Sequence, residues 1–512
     1  MKYVRRFDLS CVLRLELAYL MLSRGFNSWG LVTDLARKCD VSRQFLYNNL
    51  AEVMRHLRGT DQPDPDADDE STHRLILAMR LFCDASLDGI SNVLKVMGLE
   101  PCSTGHVSEF LSGLGAACQL EIPAGGTPRT VLVDEIFISG VPILVVMDAV
   151  SHCILSITLA SDRTKETWVA ELRKLLDQGV VIGLLVKDQG SSLKAAAVEL
   201  GIPERSDLFH LLYRFDPIMG SLETRAYGAI GYEAERQRIL GNRKTKRIRR
   251  KSLAILIAAS NEASRAVRVS DDYGYLHKCL HEAFDSFTPN GDLRSKSVAE
   301  GDIDAALALF EEEFSAHDKI QDAVKFLRKN LTDYWGYFVE LERIVKEYGA
   351  SIPEHTLRAV CLAWQLARKA MAVKRPDLKK EMARHSKAQL ELATTGVDGK
   401  LITSIESLRK ALDSNVRSSS PLEAINSVIR VHLDSCRGQT TQEALTLLAY
   451  FINHCKATRG KYKGTSSYER MTGIPEDASP IQKILRLSPR FVKWKASLAL
   501  KSFPRAELLG AS

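Results

Sequence analysis

Apolar positions along the chain change their spacing several times, and each change marks an element boundary. To about residue 57 they recur at helical spacing, and a second helical block runs from about 73 to 118. Three short β-branched runs follow, at 130–138, 142–147 and 153–159, separated by turn-like residues; they predict three consecutive strands in a meander. Trp168, Leu172, Leu175 and Leu176 then return to helical spacing over 165–176. The run 180–186 (VVIGLLV) reads as a buried strand, 191–200 as a short helix and 207–213 as a final strand. The predicted order is β-β-β-α-β-α-β. From about Phe215 to Leu412 only helix signals occur. Ile320, Val324, Leu327, Leu331, Tyr334, Phe338, Leu341 and Val345 keep a near-heptad rhythm, which predicts one long amphipathic helix. Its stripe reads as core-facing, with a coiled-coil dimer seam as the alternative.

Breaks between these patterns divide the chain. The segment 58–72, RGTDQPDPDADDEST, is too rich in proline and carboxylates to bury a core and reads as a flexible acidic linker. The expected domains are 1–57 helical, 58–72 linker, 73–129 helical and ending in the Pro/Gly hinge EIPAGGTPR, 130–214 α/β, 215–412 all helical, and 413–512 a second part of the α/β core with its tail.

Within the first block, Thr33 is placed to cap one helix and Ser42 a second, with Cys39-Asp40 as the turn between them. This is a helix-turn-helix pattern. Its second helix would present Arg43, Gln44 and Tyr47 to base edges; a plain helical hairpin would show the same pattern. A weaker copy spans 89–111, with Ser103 or Thr104 as cap and Gly105, His106 and Ser108 outward.

Charge adds a partner. The 512 residues carry a net charge of +7, a modest excess that permits nucleic-acid binding without proving it. Arg243, Lys244, Lys246, Arg247, Arg249, Arg250 and Lys251 form a run of seven cations without an acid, suited to phosphate contacts or to a solvated face. The ten cysteines form no CxxC pair and read as reduced thiols. His277-Lys278-Cys279-Leu280-His281 lacks a second ligand pair at usable spacing and is set aside as a zinc site. No signal-peptide core and no membrane-length apolar run is present, so no membrane partner is expected.

Two acids stand in costly places. Asp134 lies inside a strand of buried type, and Asp188 ends the run LLVKD before Gln-Gly-Ser-Ser. An acid so placed needs a partner or a metal, and oxygen ligands suit Mg²⁺ or Mn²⁺. The plainer reading of each is a strand-edge Asp that caps a turn. Glu135 alternates to the opposite face, and Asp148 is a supporting candidate.

With these residues in hand, the strand order with acids on the first and fourth strands resembles the RNase H-like core of Asp-Asp-Glu (DDE) transposases and integrases. That family needs a third acid on a later helix. Ser419-Ser420-Pro421-Leu422-Glu423-Ala424-Ile425-Asn426-Ser427-Val428-Ile429-Arg430 supplies it, and Glu423, Asn426 and Arg430 share a face. Many bacterial insertion-sequence transposases carry a similar Glu-x-x-Asn-x-x-x-Arg helix. Asp207-Leu208-Phe209-His210 resembles the Cys/Asp-x-x-His element of Mutator-like and hAT-like transposases, which also place an all-helical insertion there.

The resemblance implies an α/β RNase H-like core with a mixed five-stranded sheet, interrupted by the helical insertion and preceded by helix-turn-helix domains. It implies two Mg²⁺ or Mn²⁺ ions held by Asp134, Asp188 and Glu423, with His210 at the scissile phosphate or organising the carboxylates; a structural histidine capping the last strand is the alternative for His210. Arg43, Gln44, Tyr47, the basic run, Asn426, Arg430 and Trp335 would contact DNA. Trp335 would do so by stacking on a flipped base, although core packing is its plainer role. The implied partners are double-stranded DNA (element ends and target) and further copies of the chain, as a homodimer or larger complex. The implied compartment is the bacterial cytoplasm, at the nucleoid. A domesticated DNA-binding protein and an RNase H-fold nuclease are the alternatives.

Overall fold

The computed structural model describes residues 17–21, 30–39, 41–57, 65–100, 102–123, 126–242, 246–373, 375–436 and 438–487. The start of the first expected domain, residues 58–64 of the expected linker, Asp40, Arg243, Lys244 and the last 25 residues of the tail lie outside the described residues. In chain order the helices before the sheet are α1 (Leu31–Lys38), α2 (Arg43–Leu57), α3 (Pro65–Phe82), α4 (Leu87–Met97) and α5 (Thr104–Ala117). Then come β1 (Arg129–Ile138), β2 (Val141–Asp148), β3 (Ile154–Leu159), α6 (Lys165–Asp177), β4 (Ile182–Lys187), α7 (Ser191–Leu200), β5 (Glu204–Ser206) and α8 (Leu208–Leu212). The long helical stretch contains α9 (Asp216–Gly241), α10 (Lys246–Ala283), α11 (Lys296–Glu313), α12 (Asp318–Asn330), α13 (Gly336–Gly349), α14 (Glu354–Ala372), α15 (Pro376–Thr394) and α16 (Gly399–Ser414). The chain continues through α17 (Ser420–Ser435), α18 (Gln442–His454), α19 (Ser467–Thr472) and α20 (Pro480–Leu485).

The five strands form one mixed sheet in the order β3-β2-β1-β4-β5. β1 and β2 pair antiparallel, as do β2 and β3, whereas β4 and β5 are parallel. The β1–β2 hairpin turns on Ser139 and Gly140, both at positive φ (49° and 84°). Positive φ at both central residues is what the right-handed strand twist asks of a two-residue turn.

The chain divides into two compact units. The first holds residues 1–183, 195–202 and 420–512, and the second 184–194 and 203–419. In the first unit, helices α3, α4 and α5 share an apolar core with α18 and α20, built on Ile76, Leu94, Phe110, Leu114, Leu447 and Ile484. Gly115 of α5 packs so close to α18 that a Cβ there would overlap the Glu443 carbonyl. In the second unit one core runs from Leu208 to Leu412 and is dense in aromatic rings, among them Phe284, Phe310, Tyr334, Tyr337 and Phe338. Buried Arg205 crosses this unit. Its Nη1 donates to Asn415 Oδ1 (2.7 Å) and the Val416 carbonyl (2.8 Å), and its Nη2 to the Gly336 carbonyl (3.1 Å).

Four expectations need correction. The stripe Ile320–Val345 is not one helix: α12 ends at Asn330, a 3₁₀ turn covers Thr332–Tyr334, and α13 begins at Gly336. Thr332, Asp333 and Gly336 are weak helix formers, which is where the rod breaks. Ile320, Val324, Leu327, Leu331, Tyr334, Phe338 and Leu341 are all buried in the unit's own core, so the stripe is not a dimer seam. The segment 207–213 is no strand; β5 ends at Ser206 and Asp207 caps α8. α3 begins at Pro65, inside the segment read as a linker; proline at the first helical position lacks only an amide that has no partner there. Finally, α1 starts at Leu31 behind Gly30 rather than at Thr33, because Gly30 takes the left-handed conformation (φ 87°). No helix among the described residues is long and apolar enough to cross a membrane.

Replacing Gly115 with Ala should destabilise the first unit by about 1–3 kcal/mol, the usual cost of overpacking where backbone cannot yield. Urea unfolding checks this; an unchanged midpoint would mean the two helices separate freely.

Candidate active site

β1 points Asp134 and Glu135 to opposite faces of the sheet. Glu135 is fully engaged on its face: Trp168 Nε1 donates to Oε1 (3.1 Å), and Arg163 lies 3.4 Å from Oε2. Asp134 is half-buried on the other face. There Asn426 of α17, itself fully buried, donates from Nδ2 to Asp134 Oδ2 at 2.7 Å. The two residues are 292 positions apart in sequence, and this bond locks α17 onto β1. Glu423 lies one turn earlier on the same helix face, about a quarter exposed (28%), with Arg430 Nη1 3.8 Å from its Oε2. The bond from Asn426 brings α17 to Asp134, and Arg430 lies beside Glu423 on that helix.

The other end of α17 is also clamped. Arg80 of α3 donates to Ser435 Oγ (2.8 Å) and Cys436 Sγ (2.7 Å) while holding the Ala85 carbonyl (2.9 Å). His432 Nδ1 lies 3.2 Å from Asp84 Oδ1, and burial pushes the His432 imidazole below its ordinary value. Sequence reasoning missed this clamp, because Arg80, Asp84 and His432 belong to no motif and sit in segments read as plain helix.

Asn426 also bears on whether a cation suits the site. Its Oδ1 is buried and has no hydrogen-bond partner among the described residues. An unpaired amide oxygen beside a carboxylate is costly without a donor or a cation to face it. Oxygen donors of this kind match hard divalent ions such as Mg²⁺. The residues present fit the implied metal chemistry on this ground.

Asp188 belongs to the second unit and follows β4 directly. Its Oδ1 accepts from Gly190 N (2.8 Å), so it does cap the turn, and a Cβ on Gly190 would crowd that same oxygen. Asp148 is buried at the end of β2. Its Oδ2 accepts from both the amide (2.7 Å) and the hydroxyl (2.5 Å) of Ser151, which makes it a turn anchor rather than a supporting ligand.

The Asp207–His210 element is an anchor as well. Asp207 is fully buried. Its carboxylate accepts from Phe209 N (3.1 Å), Ser419 N (2.8 Å) and Ser419 Oγ (2.7 Å), and it faces His210 Nδ1 at 2.6 Å. Burial alone would raise this carboxyl, but the donors of His210 and Ser419 outweigh it and hold it below its ordinary value. Ser419 is the residue before α17.

The expected DNA-contact residues divide. Ser42 caps α2 as expected, its hydroxyl oxygen accepting from Phe45 N (3.0 Å), and Arg43 is exposed. Tyr47 is not outward: its hydroxyl donates to the Cys83 carbonyl (3.2 Å), its ring is packed among apolar residues, and burial drives its hydroxyl far up. Gln44 lies beside Gly89 of α4, so this side of α2 packs on a helix instead of facing solvent. In the basic run, Arg247, Arg249, Arg250 and Lys251 are exposed on the first turns of α10. The side chain of Lys246 is not among those described. Trp335 is half-buried against the second unit's core, 6.2 Å from the Phe338 ring.

No family model matches the chain, and no curated protein matches it. Among solved structures it is similar to the Drosophila P element transposase of a strand transfer complex, at 14% identity over 78% of this chain and 94% of that one, with a TM-score of 0.28. It is also similar to a chain of a simian T-cell lymphotropic virus intasome in complex with the PP2A regulatory subunit B56 gamma. That match has 15% identity and a TM-score of 0.15, and covers 35% of this chain and 66% of that one, just under two thirds of its length. Likenesses this distant carry no argument about this chain, and the functional reading rests on its own residues.

Asp207→Asn should cost roughly 3 kcal/mol of stability at neutral pH, because it leaves donors facing a donor in a buried site. The folded carboxyl lies below its unfolded value of about 3.9, so its contribution is complete above about pH 4 and fades as pH falls through the lower folded value. Denaturation of both proteins across acid pH should show the difference shrinking; a constant difference would refute the linkage.

Proposed function

We propose that this chain is a DNA transposase of the Asp-Asp-Glu type, with an RNase H-like core, that cleaves the ends of a DNA element and joins them to a target. The observation that carries the reading is the Asn426–Asp134 hydrogen bond, which brings a helix bearing Glu423 onto the strand bearing Asp134. Asp188 enters as the third carboxylate from its place at the end of the fourth strand, as the family pattern asks. In this reading the three acids hold two Mg²⁺ or Mn²⁺ ions. Bound there, such ions activate an attacking oxygen and stabilise a leaving one at phosphorus.

The protein's own groups have distinct tasks. Asn426 fixes the orientation of the Asp134 carboxylate and keeps an amide oxygen on the same side. Arg430, half exposed beside Glu423, is placed to meet a phosphate of the bound strand. His210 is a positioning residue through Asp207, and its part in the site is to hold the entry to α17. Arg247, Arg249, Arg250 and Lys251 supply sequence-independent attraction to the DNA backbone. Arg43 remains the candidate base contact of the N-terminal helices, without Tyr47. The active form on DNA is a dimer or larger complex, since two element ends must be joined to one target.

The test uses the full chain, Mg²⁺ or Mn²⁺, and a plasmid carrying the DNA that flanks its gene. Cleaved ends joined to new sites are expected; cuts without joints would leave a nuclease, and binding without cuts a DNA-binding protein. Asp134→Asn, Asp188→Asn and Glu423→Gln should each reduce cleavage at least a hundredfold while DNA binding persists. An Asp188→Asn protein that cuts at the wild-type rate would remove Asp188 from the site.

Alanine at Arg247, Arg249, Arg250 and Lys251 should weaken binding to all sequences alike. The slope of log affinity against log salt should flatten by about 0.9 for each phosphate that is no longer neutralised. Filter binding over a salt series reads this, and an unchanged slope would assign the run to a merely solvated helix face.

A further inference from the structure

The second unit also contains a cluster of ligand-type side chains that includes none of the three acids. α9 and α10 are joined by a short connection and pack along each other. At the far end of this hairpin, Asp216 from the first turn of α9 meets His277 and His281 from the last turns of α10. Asp216 Oδ1 lies 3.0 Å from His277 Nε2 and 3.7 Å from His281 Nε2, and the two Nε2 atoms are 3.2 Å apart. We propose that Asp216, His277 and His281 form a binding site for a divalent transition-metal ion, Zn²⁺ above all.

The geometry argues for a cation at the centre. A proton on His277 Nε2 can point at Asp216 or at His281, but not at both. Without that proton, His277 turns a lone pair toward the carboxylate. Either way one of the two short contacts has no proton between its atoms. A cation removes the conflict, since all three atoms then present lone pairs to it. Bonds of about 2.0–2.1 Å around a tetrahedral Zn²⁺ put neighbouring ligand atoms about 3.3 Å apart, close to the three separations found here.

The ligands are also braced. The buried Tyr273 ring stacks on His277, with centroids 6.0 Å apart, and its hydroxyl donates to the Phe215 carbonyl (2.8 Å), just before Asp216. Two imidazoles four residues apart on a helix with one carboxylate favour Zn²⁺ over Mg²⁺. Asp216 and His281 are about half exposed, 55% and 42%, which leaves solvent access for a fourth ligand. The site ties the open end of the hairpin and does not depend on the transposase reading.

The full chain, stripped with a chelator and dialysed against ZnCl₂, should take up one Zn²⁺ through this site, measured by elemental analysis. Co²⁺ in its place should give the visible d–d bands of a tetrahedral site. His277→Ala and His281→Ala should each weaken uptake at least tenfold and abolish the bands. Asp216→Asn should weaken uptake less. Equal Zn²⁺ uptake by the wild type and a His277→Ala, His281→Ala double variant overturns the proposal, as does a wild type that binds none. If the variants do not fold, the Co²⁺ spectrum of the wild type decides: no tetrahedral bands, no site.

Discussion

A carboxylate on the face of a mostly buried strand is the constraint around which the first unit is arranged. Asp134 must be satisfied, and the donor that satisfies it, Asn426, comes from a helix 292 residues away in sequence. Because Asn426 is itself fully buried, it cannot serve Asp134 unless α17 lies flat against β1. Arg80 and the His432–Asp84 pair hold the helix's other end. Glu423 and Arg430 lie on the helix face that carries Asn426, by helical periodicity. A polar requirement of one side chain thus sets the position of several others.

The same logic explains why Asp207 and Asp148, which look like Asp134 in sequence, serve otherwise. Each ends or follows a strand, but each is saturated by several donors: the amide and hydroxyl of Ser151 for Asp148, and Phe209, His210 and the distant Ser419 for Asp207. Saturated by these donors, they anchor turns and caps. Asp188 lies between the two cases, since one of its oxygens caps a turn at Gly190.

Much of the α/β region was legible from the chain, because strands that alternate or bury a short apolar run leave a strong local signal. All of β1 to β4, α6 and α7 fall within a few residues of expectation. The Glu423-Asn426-Arg430 face was legible too, since it depends only on helix spacing. What was not legible depended on partners distant in sequence. Tyr47 looks like an outward helix residue until Cys83 is seen to accept its hydroxyl. The pair His277 and His281 has no third ligand within its own helix; Asp216 lies about sixty residues upstream, beyond the reach of any spacing rule. The break at Thr332–Tyr334 was hidden because the apolar rhythm continues through it: both helices face the same core, so periodicity persists where the rod does not.

The anchoring of Asp207 to Ser419, together with the bond from Leu208 N to the Arg417 carbonyl (3.0 Å), means that the helical stretch between them leaves and returns at one point. A segment closed at its base in this way is a module. The entropy of closing such a loop grows only with the logarithm of its length, by about 0.6 kcal/mol for each doubling. Natural variation can therefore lengthen, trim or exchange the helices between these anchors without disturbing the residue that starts the Glu423 helix.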